Sequence, residues 1–170
     1  MSKIAKYFEY LDFKIDEAYT IANRARKRGY DPVSKVEMPL ARDISERVEG
    51  LISVAAPQLL GSGIAKRIQD LEGEYAKLDW RVGMSISYEV ARGDFCEFRD
   101  KKEALEIGVR VGFAYLTLGV VSAPLEGFIG FEVKKRRDGD EYLAMSFAGP
   151  IRAAGGPAGA VVVLLGDYVR

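Results

Sequence analysis

Histidine is absent from this sequence and cysteine occurs once, at position 96. Those two shortages remove intrachain disulfides, zinc sites of the Cys/His type, Cys-His dyads and Ser-His-Asp triads together. With no histidine to activate it, the thiol between Phe95 and Glu97 reads as a small half-buried residue rather than a nucleophile. Net charge is lacking too: 25 basic and 25 acidic side chains cancel, so attraction to DNA has to come from local clustering, not from an overall field. From Met1 to Ala18, acidic residues and amphipathic spacing stand where a signal peptide would carry an apolar run and a cleavage site, and the expected location is cytoplasmic. The most apolar stretch, Ala104 to Val121, contains Glu106 and Arg110, each costly in lipid, and reads as a core helix.

What is present is a globular composition, 48% hydrophobic and 29% charged over 170 residues, which predicts one folded domain around one core. Ile4, Phe8, Leu11, Ile15, Ala18 and Ala22 recur at helical spacing, and Arg24, Arg26, Lys27 and Arg28 lead into Gly29 as at a helix C-terminus. Asp31-Pro32 and Met38-Pro39 bound an extended connection. Asp43 with Glu46 resembles a capping box before Ile44, Val48 and Leu51. Ser62 is expected to cap a third helix with Ile64, Ile68, Leu71, Tyr75 and Leu78 inward. A fourth helix is predicted from Trp80 to Arg92, ended by Gly93. The fifth, Lys101 to Leu118, should be central, with Leu105, Val109, Gly112, Phe113 and Leu116 on one side and Glu106 and Arg110 spaced for an ion pair.

After Pro124 the period changes. Ile129, Phe131 and Val133 alternate with polar or small residues, Asp138-Gly139 marks a turn, and Leu143, Met145 and Phe147 alternate again, which predicts an antiparallel hairpin over roughly 128–147. A glycine-rich loop and a final helix from Ala158 to Val169 follow. The fold class is therefore α+β, mostly helical, with a C-terminal β-hairpin, a glycine-rich loop and a helix. An apolar helix running uncapped to Arg170 predicts a fragment of a longer polypeptide.

Four segments carry chemistry worth weighing. Asp138, Asp140 and Glu141 cluster as metal-binding carboxylates do, but the Asp-Gly pair and the flanking alternation read as a hairpin turn. The stretch Gly149–Gly159 is either a phosphate-binding loop, with backbone amides of Gly155 and Gly156 and the cation of Arg152 facing an anion, or a structural turn; the Lys-Ser/Thr pair of a Walker A loop is missing. Lys134, Lys135, Arg136 and Arg137 are either a weak, salt-sensitive phosphate contact or a solvated face. Gly61-Ser62-Gly63 is similar to the Gly-x-Gly turn of helix-hairpin-helix DNA binders, although Ala65 stands closer to the second glycine than that motif places its alanine.

The segments 119–127 (Gly-Val-Val-Ser-Ala-Pro-Leu-Glu-Gly), Glu141-Tyr142-Leu143-Ala144, Ala148-Gly149-Pro150-Ile151-Arg152 and Gly155-Gly156 resemble, in order and spacing, the amino-terminal region of the archaeal D-family DNA polymerase (DNA polymerase II) large subunit. Weaker similarity runs through Tyr7-Phe8, Arg47-Val48-Glu49 and Gly166-Asp167-Tyr168. At 153, 154 and 157 this chain has Ala, Ala and Pro where hydroxylated residues are expected, which leaves backbone rather than side chains as the anion donor. The resemblance implies a single accessory amino-terminal domain of a heterodimeric, DNA-templated polymerase with 3'-5' exonuclease activity in its assembly. It implies a small-subunit partner, template-primer DNA and other replication factors. It implies magnesium and structural zinc for the full-length subunit only, with no catalytic or metal residue in this segment. The alternative is a free-standing nucleic-acid-binding or subunit-interaction module without enzymatic activity.

Overall fold

The computed structural model describes residues 3–30, 41–117, 123–154 and 156–170. The predicted connection at Pro32 and Pro39, Leu118 and the motif residues 119–122 lie outside them. The chain divides into two compact units, Met1–Arg42 and Asp43–Arg170. The first is built on α1, Lys3–Lys27, whose last turn carries Arg24, Arg26 and Lys27 against the negative end of the helix dipole. Gly29 follows at φ +74°, a left-handed conformation that stops the helix.

The second unit contains α2 (Ile44–Ile52), α3 (Ile64–Glu74), α4 (Trp80–Arg92), α5 (Lys101–Leu116), β1 (Phe128–Lys135), β2 (Glu141–Phe147), α6 (Gly149–Ala154) and α7 (Gly156–Val169). The α+β class holds: helices dominate and the sheet is one antiparallel pair. Local chemistry explains most boundaries. Asp43 accepts from the Glu46 amide at 3.0 Å, Asp79 from the Arg81 amide at 2.9 Å and Asp100 from the Glu103 amide at 2.8 Å, each capping the helix that follows. Gly93 ends α4 in the left-handed region.

Two expectations for α3 fail. Its N-cap is Gly63, at φ +94°, while the Ser62 hydroxyl donates to the Leu59 carbonyl at 2.7 Å instead. The helix also stops at Glu74, so Leu78 does not join the inner face: it is exposed, at φ +62°. Its amide is held by the Tyr115 hydroxyl at 2.9 Å, which in turn donates to Glu72 at 2.8 Å. Burial and the Glu72 carboxylate push the Tyr115 phenol well above its ordinary value.

Among the described residues, buried side chains form two clusters, not one. The first joins α2, α3, α4 and α5 around Ile52, Leu59, Ile68, Ile86, Val111 and Tyr115. The second joins α4, α5, the hairpin, α6 and α7 around Phe113, Phe128, Phe131, Ile151, Val162 and Leu165. Helix α5 runs between them and is buried on more sides than the single stripe predicted: Ile107, Val111 and Ala114 serve the first cluster, Val109 and Phe113 the second. It approaches α4 closely because the contact is made of small residues. A Cβ on Gly108 would stand 2.6 Å from the Ser87 carbonyl, and one on Gly112 2.7 Å from the Gly83 carbonyl. The buried Ser87 hydroxyl spends its proton across the seam on the Gly108 carbonyl at 2.8 Å.

The hairpin is where expected, but its alternation is broken. Phe128 pairs with Phe147 and Gly130 with Ser146, so Ile129 is the extra residue of a bulge. Phe128 and Phe131 therefore both face the core, ring centroids 5.1 Å apart, while Ile129 and Val133 are 56% and 66% exposed. The glycine-rich stretch is folded on both sides of Gly155, itself outside the described residues. Pro150 lies in the first turn of α6 and Pro157 in that of α7, where the missing N–H costs nothing.

Candidate nucleic-acid interface

The hairpin is carried by two charged side chains of α5. Arg110 donates to the carbonyls of Pro124 at 2.6 Å, Leu125 at 3.0 Å and Ile129 at 3.0 Å, with its guanidinium 5.1 Å from the Phe128 ring centroid. Glu106 accepts from the Phe131 amide at 2.8 Å and meets Lys102 at 3.7 Å. The predicted Glu106–Arg110 ion pair is thus not formed. Together they satisfy two carbonyls just ahead of β1 and, beside the bulge, the Ile129 carbonyl and the Phe131 amide. Burial lowers the Arg110 pKa against the opposing pull of Glu106, and a guanidinium there stays charged. Gly130 sits at φ +155°, where a Cβ would fall 2.5 Å from the Glu106 carboxylate.

From that anchor the hairpin projects its far end into solvent, and residues 132–141 are all exposed. Lys134 and Lys135 finish β1; Arg136 and Arg137 enter the turn. Asp138 by its carboxylate, Asp140 by its backbone and Glu141 by its pairing with Lys135 serve the turn and its flank. Asp138 accepts from the Asp140 amide at 3.1 Å, the Arg136 amide donates to the Asp140 carbonyl at 2.7 Å, and Gly139 takes φ +96°. Lys134 pairs with Glu132 at 3.1 Å and Lys135 reaches Glu141 at 3.9 Å, surface pairs that dissociate cheaply. Arg136 lies 5.9 Å from the Tyr142 ring centroid.

Arg152 and Gly156 are also exposed, but at the other end of the hairpin. Arg152 is in the last turn of α6 and Gly156 opens α7. The strand β1 that runs from base to tip is roughly 23 Å long, at about 3.3 Å per residue. The seven candidate residues therefore form a distal set, Lys134–Arg137, and a basal set, Arg152 and Gly156, with Gly155 outside the described residues. Sequence reasoning missed the two residues that orient the hairpin. Their signal was present: Glu106 and Arg110 are charges in the most apolar stretch of the chain, where each needs a buried partner.

The other features take structural roles. The Gly61 amide of the Gly-x-Gly turn donates to the Glu49 carboxylate at 2.5 Å, so an internal anion already occupies it. Cys96 is half-buried, and burial raises its thiol pKa. Among the described residues no three Cys, Asp or Glu side chains converge in a way that could hold a metal ion. Among those residues no helix is long and apolar enough to cross a membrane.

Known proteins bear out the resemblance to the DNA polymerase II large subunit. The family described as "DNA polymerase II large subunit DP2, N-terminal" matches residues 6–170. The DNA polymerase II large subunit of Nanoarchaeum equitans is 46% identical over 164 residues, covering 96% of this chain and 13% of the relative. That of Pyrococcus furiosus is 45% identical over 170 residues, 99% of this chain and 13% of the relative. That of Methanosarcina barkeri is 44% identical over 165 residues, 97% of this chain and 14% of the relative. The chain spans 13–14% of the length of these relatives. On this similarity, the chain belongs to the family of the amino-terminal region of the DNA polymerase II large subunit.

Proposed function

We propose that residues 1–170 act as one accessory, non-catalytic amino-terminal domain of a much longer large subunit, in a heterodimeric archaeal polymerase that carries out DNA-templated synthesis in the cytoplasm with an associated 3'-5' exonuclease. In that assembly its partners are the small subunit, template-primer DNA and other replication factors. Polymerization, with its magnesium and zinc, belongs to the remainder of the subunit.

Within the domain the hairpin touches DNA. The observation that carries this reading is the hairpin itself: four consecutive cations on a projecting tip, with the half-buried Arg110 and Glu106 holding the backbone at its base. Their acidic neighbours are held only by exposed pairs, which a phosphate can replace. The tip cations and Arg152 contact phosphates, which carry no base information. Gly156 adds a backbone amide at the basal end, where α7 opens.

Primer extension and single-strand degradation, run with magnesium on the purified chain and on the full-length large subunit with its small subunit, test the division of labour. Activity is expected from the full assembly and none from the chain alone; robust extension by a clean preparation of residues 1–170 refutes it.

A further inference from the structure

Helix α7 is apolar on most of its circumference, a composition normally found in helices covered on all sides. Here one side is covered. Val162, Leu165, Gly166 and Val169 are buried, Gly166 lying directly under Met145 and Phe131. On the other side Val163 is 50% exposed, Leu164 56% and Tyr168 50%. Between that side and β2 runs a groove of about 500 Å³ lined by Leu143, Met145, Ala160, Val163 and Leu164. Its rim holds Asp167 and Arg170, ion-paired at 3.1 Å.

We propose that this groove seats an apolar segment of the same polypeptide, from the part of the large subunit that follows position 170. The proposal rests on reading the chain as the amino-terminal part of a large subunit. The relatives supply the occupant: their matched region is amino-terminal and covers 13–14% of their length, so in them the chain continues past the end of α7. A polypeptide continuing there emerges at the groove's rim, and tethering gives it a high effective concentration at the site. DNA is a poor fit, because the lining is apolar and the rim carries one cation and one carboxylate, with no net positive charge. A second copy is a poor fit as well. A stable dimer buries about 800 Å² per partner, more than the few side chains of one groove supply, whereas a tethered segment needs less.

The test is thiol alkylation of Val163→Cys in a Cys96→Ser background, read by mass spectrometry on the peptide containing position 163. It is run in the 170-residue chain and in the full-length subunit, with Arg137→Cys on the hairpin turn as reference. Circular dichroism establishes that each variant is folded. The proposal expects labelling at 163 to slow about tenfold or more in the full-length subunit, with position 137 labelled equally in both. Equal labelling at 163 in both overturns it. Protection already present in the short chain, with a dimer mass in solution, overturns it in favour of a second copy. Primer extension by the same full-length preparation with its small subunit reads the polymerase assignment separately, so the two can fail independently.

Discussion

The α4–α5 seam and the far end of the hairpin sit in one compact unit and use their residues in opposite ways. At the seam, Gly83, Ser87, Gly108 and Gly112 give up side-chain volume so that two backbones can meet, and the buried Ser87 hydroxyl has a partner in the Gly108 carbonyl. At the hairpin tip, Lys134 to Arg137 and Asp138 to Glu141 keep their full length in solvent, held by pairs worth little. Position at the seam is determined by backbone, and at the tip by charge. Arg110 and Glu106 join the two, since they rise from the seam helix and end on the backbone at the hairpin's base. Stability and DNA affinity should therefore separate along this line.

The largest effect is expected at the seam. Gly108→Val introduces a branched side chain where even a Cβ meets the Ser87 carbonyl at 2.6 Å, and should cost about 3 kcal/mol in urea unfolding. A loss below about 0.5 kcal/mol would break the comparison at its rigid end.

Arg110→Met comes next. It keeps much of the apolar stem but leaves the Pro124, Leu125 and Ile129 carbonyls without their donor, for an expected loss of about 2 kcal/mol. Hydrogen exchange should rise in β1 and β2 and stay unchanged in α2 and α3, because the substitution loosens only the attachment of the hairpin. Faster exchange spread evenly over the unit would mean that Arg110 supports the core and not the hairpin.

Asp43 gives a smaller, pH-dependent effect. Partial burial pushes its carboxyl up, but hydrogen bonds from the Ser45 hydroxyl, the Glu46 amide and Gln69 outweigh that and leave the pKa below its ordinary value. A depressed folded pKa stabilises above the unfolded value near 4 and is lost as pH falls through the folded value. Asp43→Ala should cost about 1 kcal/mol at neutral pH, as the loss of a helix cap does, and the gap to wild type should narrow as the solution is taken toward pH 2. A gap that widens on acidification would contradict the assignment.

Much of this was legible in the sequence because it is local. The Asp cap of α2, the glycine stop of α4 and the period change into the hairpin are each written within a few residues, while the caps Asp79 and Asp100 of α4 and α5 went unread. What escaped depends on distant partners. Ser62 could cap α3 on local grounds but spends its hydroxyl on the Leu59 carbonyl. Glu106 and Arg110 have ideal spacing for each other and lose that pairing to backbone groups 14 to 25 residues away. The strict alternation at Ile129 fails because one bulged residue turns Phe128 and Phe131 to the same side. The glycine-rich stretch looked open because glycine and proline break strands, yet the same prolines are compatible with a first helical turn. Of the candidate site, the cations were visible as a run, while their division between tip and base required the strand pairing.

Removing charge from the tip is the smallest perturbation of the fold and the most direct test of the account. With Lys134, Lys135, Arg136 and Arg137 all changed to Ala, unfolding should shift by no more than about 0.5 kcal/mol. Titration of a fluorescent primer-template at several salt concentrations is the deciding measurement. The wild-type chain is expected to bind weakly and with steep salt dependence. The variant should lose affinity equally for unrelated sequences, its salt slope flattening by about one unit for each phosphate contact removed. Binding by the wild type with an unchanged affinity and slope in the folded variant, or no wild-type binding at low salt, would contradict the claim that this hairpin is a DNA-backbone contact.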